Sequence, residues 1–225
     1  MCTVAWRADP SASALDLLAI RDEFLDRPTD PVDTWWPDRS VRLVGARDRQ
    51  AGGTALAMDV EDGRVAVLVN APGKATSAPI ASRGWLPLEW MREYAPWPEF
   101  FPNHPGFHLL TITRGVVAVQ TWDGTQLVAT ETTLGEHVLT FPGLDARQHE
   151  RGQAVVAALR RTGHDDPPWK WSDALNHGRV RPHRYLNRLY GTVGVTAIRW
   201  RRGGWRALQL ASGGQWTLVA QGGHT

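Results

Sequence analysis

Cys2 is the residue of this chain whose type and position most directly suggest covalent chemistry. It is the sole cysteine among 225 residues, which excludes an internal disulfide and a multi-cysteine metal site. Removal of Met1 would place a free α-amine on the same residue as the thiol. An amine with a pKa of about 8 is partly neutral near pH 7 and can accept the thiol proton. The alternative is a small buried side chain on the first strand, because free cysteines usually pack as hydrophobes.

A charged pair follows Cys2 at a spacing that would bring it back to the thiol. Two apolar runs, residues 3–7 and 15–20, flank a proline-containing turn signal. We expect a hairpin that places Arg21 and Asp22 beside Cys2. There Arg21 would favour the thiolate, and Asp22 would orient the amine. The alternative is an ordinary ion pair at the end of a strand.

The rest of the chain predicts many antiparallel strands and few helices. Strands are indicated at residues 41–45, 54–60, 64–70, 108–113, 116–122, 126–130, 192–200, 205–211 and 216–220. A short helix is indicated around residues 85–92, and the clearest helix is at 147–161, where apolar residues recur at helical spacing. We therefore expect a single α+β domain of residues 1–225.

The composition excludes several classes of protein. Hydrophobic residues make up 42% and charged residues 21%, the balance of a soluble globular chain. No apolar run approaches the length of a bilayer span and no secretory signal is visible, so we expect a cytoplasmic protein without a membrane span. Residues 1–150 carry 13 basic and 20 acidic side chains, whereas residues 151–225 carry 12 basic and 3 acidic ones. The basic part could attract an anionic ligand, or the acidic part could neutralise it within one fold.

Several short motifs occur in an order that resembles a known family. They are Met1-Cys2, Ile20-Arg21-Asp22-Glu23-Phe24-Leu25-Asp26-Arg27-Pro28, Trp35-Trp36-Pro37-Asp38, Ala51-Gly52-Gly53-Thr54, Val69-Asn70 and Tyr190-Gly191-Thr192. The second motif is similar to the Asn-Arg-Asp-Glu signature of the NRDE family, which are relatives of transport and Golgi organisation protein 2. The resemblance is dense over residues 1–73 and returns around residues 106–113 and 190–198.

The resemblance implies an N-terminal-nucleophile hydrolase-like fold. This is a four-layer αββα sandwich of two stacked antiparallel sheets, like that of bile-salt hydrolases and penicillin V acylases, in which an N-terminal cysteine attacks an amide. Carried over by motif, Cys2 is the catalytic nucleophile and Arg21 and Asp22 are its neighbours. Asn70 is the oxyanion donor, a role that typically lowers a barrier by a few kcal/mol. Without the family, Asn70 would be interpreted as a turn residue before Pro72.

Two stretches depart from the family pattern. Ile20 stands where the family has Asn, and Val193-Gly194-Val195-Thr196 follows the Tyr-Gly-Thr motif where members commonly have Arg-Ser-Ser-Thr. Each departure removes polar side chains beside the expected site. Either the site is specialised or catalysis has been lost.

Two hypotheses about function follow. The first is an amidohydrolase or acyl-transfer enzyme that forms an acyl-enzyme on Cys2. The second is a non-catalytic binder or carrier of a hydrophobic anionic ligand. The resemblance implies this because members of the family have been linked to haem handling and to acyl-CoA or lipid homeostasis. In both, Trp35 and Trp36 would hold an apolar body while Arg21 holds an acidic group. The alternative is that the two tryptophans only cap the core.

We expect a small-molecule ligand or substrate as the partner, with no cofactor, no metal and no nucleic acid. His104 and His108 have the spacing of a helical zinc pair, but the prolines of residues 97–106 exclude a helix there. The glycine-rich turns lack the strand–loop–helix context of a phosphate-binding loop, so no nucleotide site follows from them.

Overall fold

The structure is a computed structural model that describes residues 2–9, 14–39, 42–73, 82–93, 104–132, 135–146, 148–163, 166, 171, 174, 176, 179–210 and 215–223. Met1, Val41, Arg147 and most of the proline-rich segment at 97–106 lie outside the described residues. The chain divides into two compact units, a first unit of residues 1–27 and 133–225 and a second unit of residues 28–132. The single domain expected for residues 1–225 stays a prediction.

Strands dominate the described residues. They are β1 (Thr3–Asp9), β2 (Ala14–Phe24), β3 (Thr29–Asp33), β4 (Leu43–Asp48), β5 (Leu56–Asp59), β6 (Val65–Asn70), β7 (Phe107–Thr113), β8 (Val116–Trp122), β9 (Leu127–Thr132), β10 (Gly135–Thr140), β11 (Gly143–Leu144), β12 (His183–Tyr185), β13 (Arg188–Arg201), β14 (Gly204–Leu210) and β15 (Trp216–Gly222). The helices whose bounds the structure describes are a 3₁₀ turn at Arg83–Trp85, α1 (Leu86–Glu93) and α2 (Glu150–Arg160).

The first unit is built on an eight-stranded antiparallel sheet. Its strand order is β11-β10-β1-β2-β13-β14-β15, with β12 paired to part of β13. β1 and β2 therefore lie inside the sheet, where both edges of each strand are hydrogen-bonded. Helix α2 packs on β10 and β1, and its buried Val155 and Leu159 join Ala5, Leu18 and Val195 in one core cluster. The first unit thus has one helix layer and one sheet layer.

The second unit is a seven-stranded antiparallel sheet whose strands follow chain order, β3-β4-β5-β6-β7-β8-β9. Helix α1 packs on β5 and β6. Its buried Leu88 and Met91 share a core cluster with Leu68, Phe107 and Trp122. This unit also has one helix layer and one sheet layer. Both units therefore have the composition that an αββα sandwich requires, and the α+β class with two antiparallel sheets is confirmed.

The Ala-Gly-Gly-Thr motif has a packing reason in the second unit. A Cβ atom on Gly53 would lie 2.4 Å from the carbonyl of Gly84, which precedes helix α1. The N–H of Thr54 donates to that same carbonyl at 2.8 Å. Only glycine permits this close approach of two backbone segments.

Most predicted elements occur with shifted ends, and four strands were missed. The predicted strand at 116–122 has the observed bounds of β8, and the helix at 147–161 begins three residues later, at Glu150. The N–H of Gly152 donates to Nδ1 of His149, which caps this helix. The missed strands are β3, β10, β11 and β12. No helix among the described residues is long and apolar enough to span a membrane.

Candidate active site around Cys2

The first hairpin brings Cys2 to Arg21 and Asp22, as the spacing of the two apolar runs predicts. Cys2 directly precedes β1, and Thr3 is paired with Ile20 of β2. The backbone N–H of Asp22 donates a hydrogen bond to the Cys2 thiol. Cys2 is a free cysteine with partial exposure to solvent. The hairpin is therefore confirmed, and the thiol lies beside an interior strand of the first sheet.

The surroundings of the Cys2 thiol favour its protonated form over the thiolate. Burial raises the pKa of this thiol above its ordinary value, and the negative charge of Asp22 acts in the same direction. The positive charge of the amino terminus, the Asp22 N–H and the Arg21 guanidinium lower the pKa, but they do not outweigh burial. Arg21 thus has the expected influence without producing a thiolate. A thiol in this state needs a base before it can act as a nucleophile.

Asp22 is the most tightly held carboxylate at the site. Its side chain is fully buried. Nη1 of Arg151 on helix α2 lies 2.7 Å from Oδ2 of Asp22, and the Thr192 hydroxyl donates to Oδ1 at 2.6 Å. A buried carboxylate is tolerated only when it is paired and hydrogen-bonded. The charge of Asp22 is therefore matched by Arg151, which comes from a distant part of the chain.

The Tyr-Gly-Thr motif forms the wall of β13 that faces Asp22. The Tyr190 hydroxyl donates to the backbone carbonyl of Asp22 at 3.2 Å. Thr192 is paired with Asp22 across the two strands, and its hydroxyl also accepts the N–H of Val180 at 2.8 Å. A Cβ atom on Gly191 would lie 3.2 Å from the carbonyl of Val180. Each residue of the motif thus has a structural role around Asp22.

The departure at Val193 coincides with a β-bulge. The pairing of β13 with β2 shifts between Thr192, opposite Asp22, and Gly194, opposite Arg21. Val193 is the extra residue and its side chain is exposed. Bulges are common next to active sites because they redirect a side chain out of the sheet. Val193, the first of the three residues that differ from the family motif here, is therefore the extra residue of the bulge.

The departure at Ile20 has a packing explanation. Ile20 is 1% exposed and lies in the core cluster of the first unit with Leu18, Val155 and Val195. An apolar side chain at this position contacts helix α2 and adds buried area to the core. Ile20 therefore stabilises the hairpin that carries Arg21 and Asp22.

Arg21 is half-buried, and its Nη2 atom lies 3.9 Å from Oε2 of Glu23. This separation is long for a salt bridge, and the pair is partly solvated, so its stabilising effect is small. The guanidinium of Arg21 therefore carries charge near the thiol without a tight carboxylate bond to Glu23.

The remaining predicted site residues belong to the second unit. Asn70 is the last residue of β6, is exposed and pairs with Phe107. Trp36 is 6% exposed in the core cluster, and its Nε1 donates to the carbonyl of Gly52 at 2.9 Å. Trp35 packs against this cluster, and the Arg47 guanidinium lies 4.6 Å from its ring. Trp36 thus packs in the core of the second unit, and the proposed site roles of Asn70, Trp35 and Trp36 stay predictions.

Two residues that contact Asp22 were not predicted from the sequence. Thr192 lies within a motif that was recognised, so its position could have been suspected. Arg151 is separated from Asp22 by 129 residues, and no spacing in the sequence links them.

Comparison with known proteins agrees with the motifs. Residues 1–104 match the model of the family described as Transport and Golgi organisation 2. The matched segment includes Cys2, Arg21, Asp22 and Asn70. No curated protein shows a significant match to the chain.

Proposed function

We propose that this chain, whose residues 1–104 match the Transport and Golgi organisation 2 family, is an N-terminal-cysteine amidohydrolase or acyl-transfer enzyme. Its substrate would be a small amide or acyl compound with an apolar body. The observation that carries the proposal is the contact of the Cys2 thiol with Asp22, whose carboxylate is fully buried and clamped by Arg151 and Thr192.

Because the pKa of the Cys2 thiol is raised, the proposed mechanism needs a base close to the sulfur. The α-amine of the same residue can be that base. After removal of Met1, the neutral α-amine of Cys2 takes the thiol proton as sulfur attacks the substrate carbonyl carbon. The amine then gives that proton to the leaving nitrogen, the C–N bond breaks and a thioester remains on Cys2. Attack by water or by an acceptor amine releases the acyl group and restores the thiol.

The neighbours of Cys2 have separate roles in this proposal. Asp22 orients the α-amine, since an ionised carboxylate accepts hydrogen bonds from several donors at once. Arg21 partly offsets the effect of burial on the thiol pKa and offers a charge-assisted contact to an acidic substrate group. Asn70 is assigned, by its motif, to the developing oxyanion. Arg151 and Thr192 are positioning residues because they act through Asp22.

A non-catalytic binder or carrier is the second candidate. The raised pKa of the thiol and the loss of polar residues at Ile20 and Val193 favour it. Such a protein would bind a hydrophobic anion, for which haem and a long-chain acyl-CoA are suitable probes. Its binding would not require the thiol.

Intact mass spectrometry of the purified protein separates the two candidates. The protein is incubated with N-acyl amides of increasing chain length and quenched in acid. We expect a species that lacks Met1 and carries one acyl group, and we expect Cys2→Ala to carry none. Absence of the adduct from protein that lacks Met1, together with equal binding of haem or acyl-CoA by wild type and Cys2→Ala, would contradict the enzyme and favour the carrier.

A further inference from the structure

An arginine-lined cleft lies at the far end of the first sheet from Cys2. It has a volume of about 590 Å³ and is formed by the turn between β13 and β14 and by the end of β15. Four arginines line it, namely Arg199, Arg201, Arg202 and Arg206. Seven residues of β13 separate Gly194, opposite Arg21, from Arg201. At about 3.3 Å per residue they span roughly 23 Å. The cleft is therefore separate from the candidate active site.

A row of charged side chains crosses the sheet and ends at this cleft. Asp16 on β2 is paired with Arg7 on one side and with Arg199 on the other, and Arg199 is in turn paired with Arg206 on β14. Residues paired across antiparallel strands project from the same face. On the side of Asp16 that leads to the cleft, the row therefore has two successive guanidiniums, Arg199 and Arg206.

Three arginines contact the carboxylate of Asp16. It is 2% exposed, and its oxygens lie 3.0 Å from Arg7, 3.0 Å from Arg199 and 2.8 Å from Arg201. Arg199 also donates to the backbone carbonyl of Asp166. These contacts fix Arg199 and Arg201 in the wall of the cleft.

The outer two arginines of the cleft add charge without a matching acid. Arg202 lies in the turn, and both Arg202 and Arg206 are exposed. Among the described residues, no carboxylate lies within ion-pair distance of either guanidinium. Four guanidiniums around one opening repel one another, and an anion bound among them would relieve that repulsion.

Glycines keep the cleft open. Gly203 and Gly204 have φ values of 91° and 158°, and Gly222 lies opposite them on β15. A Cβ atom on Gly204 would lie 2.5 Å from the carbonyl oxygen of Gly222. Gly204 therefore permits the close approach of β14 and β15, whereas a Cβ atom on Gly203 would meet nothing within 4 Å, so the turn leaves open space beside the arginines.

We propose that this cleft binds a small molecule that carries phosphate groups. Guanidinium forks bind phosphate oxygens through two parallel charge-assisted hydrogen bonds, and several arginines together match the charge of a diphosphate. The volume lies within the range of small-molecule sites and exceeds the need of a lone phosphate ion. The rigid pair Arg199 and Arg201 sets the position of the anion, while Arg202 and Arg206 close on it.

Calorimetric titration with sodium pyrophosphate tests the proposal. We expect one pyrophosphate per chain, with weaker binding of inorganic phosphate. The double variant Arg202→Gln/Arg206→Gln should bind pyrophosphate at least about tenfold more weakly, since charge-assisted hydrogen bonds are lost. The matched control is Arg181→Gln/Arg184→Gln, which removes two exposed arginines of the first unit outside the cleft. It should bind as wild type does.

The single variants Arg202→Gln and Arg206→Gln accompany the double variant, and circular dichroism verifies the fold of each. Several results would overturn the proposal: no pyrophosphate binding by wild type, an equal loss in the control, equal binding of citrate, or tighter binding of a short single-stranded oligonucleotide. The variant Cys2→Ala should still bind pyrophosphate, because the cleft does not use the thiol. Loss of pyrophosphate binding and loss of acyl transfer can therefore be told apart.

Discussion

The hydroxyl of Thr192 donates a 2.6 Å hydrogen bond to Oδ1 of Asp22, whose side chain is fully buried. This bond joins the Tyr-Gly-Thr motif on β13 to the Arg-Asp-Glu motif on β2. Two sequence motifs separated by 170 residues therefore build one arrangement around the carboxylate of Asp22.

Thr192→Val should destabilise the protein because it leaves an oxygen of buried Asp22 without its hydroxyl donor. The expected loss is about 1–3 kcal/mol in the free energy of unfolding, measured by urea denaturation. Thr192→Ser should restore most of it. The control Thr217→Val removes an exposed hydroxyl on β15 and should change little. Equal stability of the two valine variants would show that the hydrogen bond from Thr192 to Asp22 does not stabilise the fold.

Arg151→Met should lower the free energy of unfolding more than the same change at Arg160 on the same helix. Arg151 pairs with a fully buried carboxylate, and its loss leaves that charge uncompensated, at a cost of about 3 kcal/mol. Arg160 is 61% exposed and pairs with Glu136 at 3.3 Å, a contact worth about 0–1 kcal/mol. Chemical denaturation of both variants gives the comparison. Similar losses would show that Arg151 does not hold Asp22.

Local sequence patterns predicted the part of the site that lies on the first hairpin. The apolar runs on either side of a turn define the first hairpin, and a hairpin necessarily returns residues 21 and 22 to residue 2. The same reasoning located β8 and helix α2, where hydrophobic periodicity is strong. The α+β class followed from these elements together.

Long-range contacts set the rest, and no short pattern encodes them. Arg151 reaches Asp22 only because α2 packs on the first sheet. β3 and β12 were missed because their residues are mostly exposed and show little hydrophobic signal. The effect of Arg21 on the thiol pKa had the predicted direction, but burial of the thiol outweighs it, and burial depends on the whole fold.

Asp123 should give the protein a measurable acid dependence. Bonds from the Thr125 hydroxyl and from the N–H groups of Gln126 and Thr125 lower the pKa of Asp123 to about 2. Because the folded pKa lies below the unfolded value, the stabilisation is present above about pH 4 and is lost as pH falls towards 2. Urea denaturation at several pH values should show wild type and Asp123→Ala converging over this interval. A constant difference between them would contradict the turn geometry.

The pH dependence of Cys2 labelling tests the environment of the candidate nucleophile. Only the thiolate reacts with iodoacetamide, and the single cysteine makes the modified residue unambiguous. Since burial raises the thiol pKa, the rate of the native protein should reach its midpoint at a higher pH than that of the same protein unfolded in urea. Intact mass must first establish whether Met1 is present, because an α-ammonium on Cys2 would itself lower the pKa.

Arg21→Gln sharpens this measurement because Arg21 lowers the thiol pKa in the native protein. Its removal should move the midpoint to still higher pH, whereas the exposed control Arg184→Gln should leave the midpoint unchanged. Both variants should label as wild type does once unfolded, which ties any difference to the folded site. A native midpoint at or below the unfolded one would mean that the thiol is activated as a thiolate, and the base supplied by the α-amine would then be unnecessary.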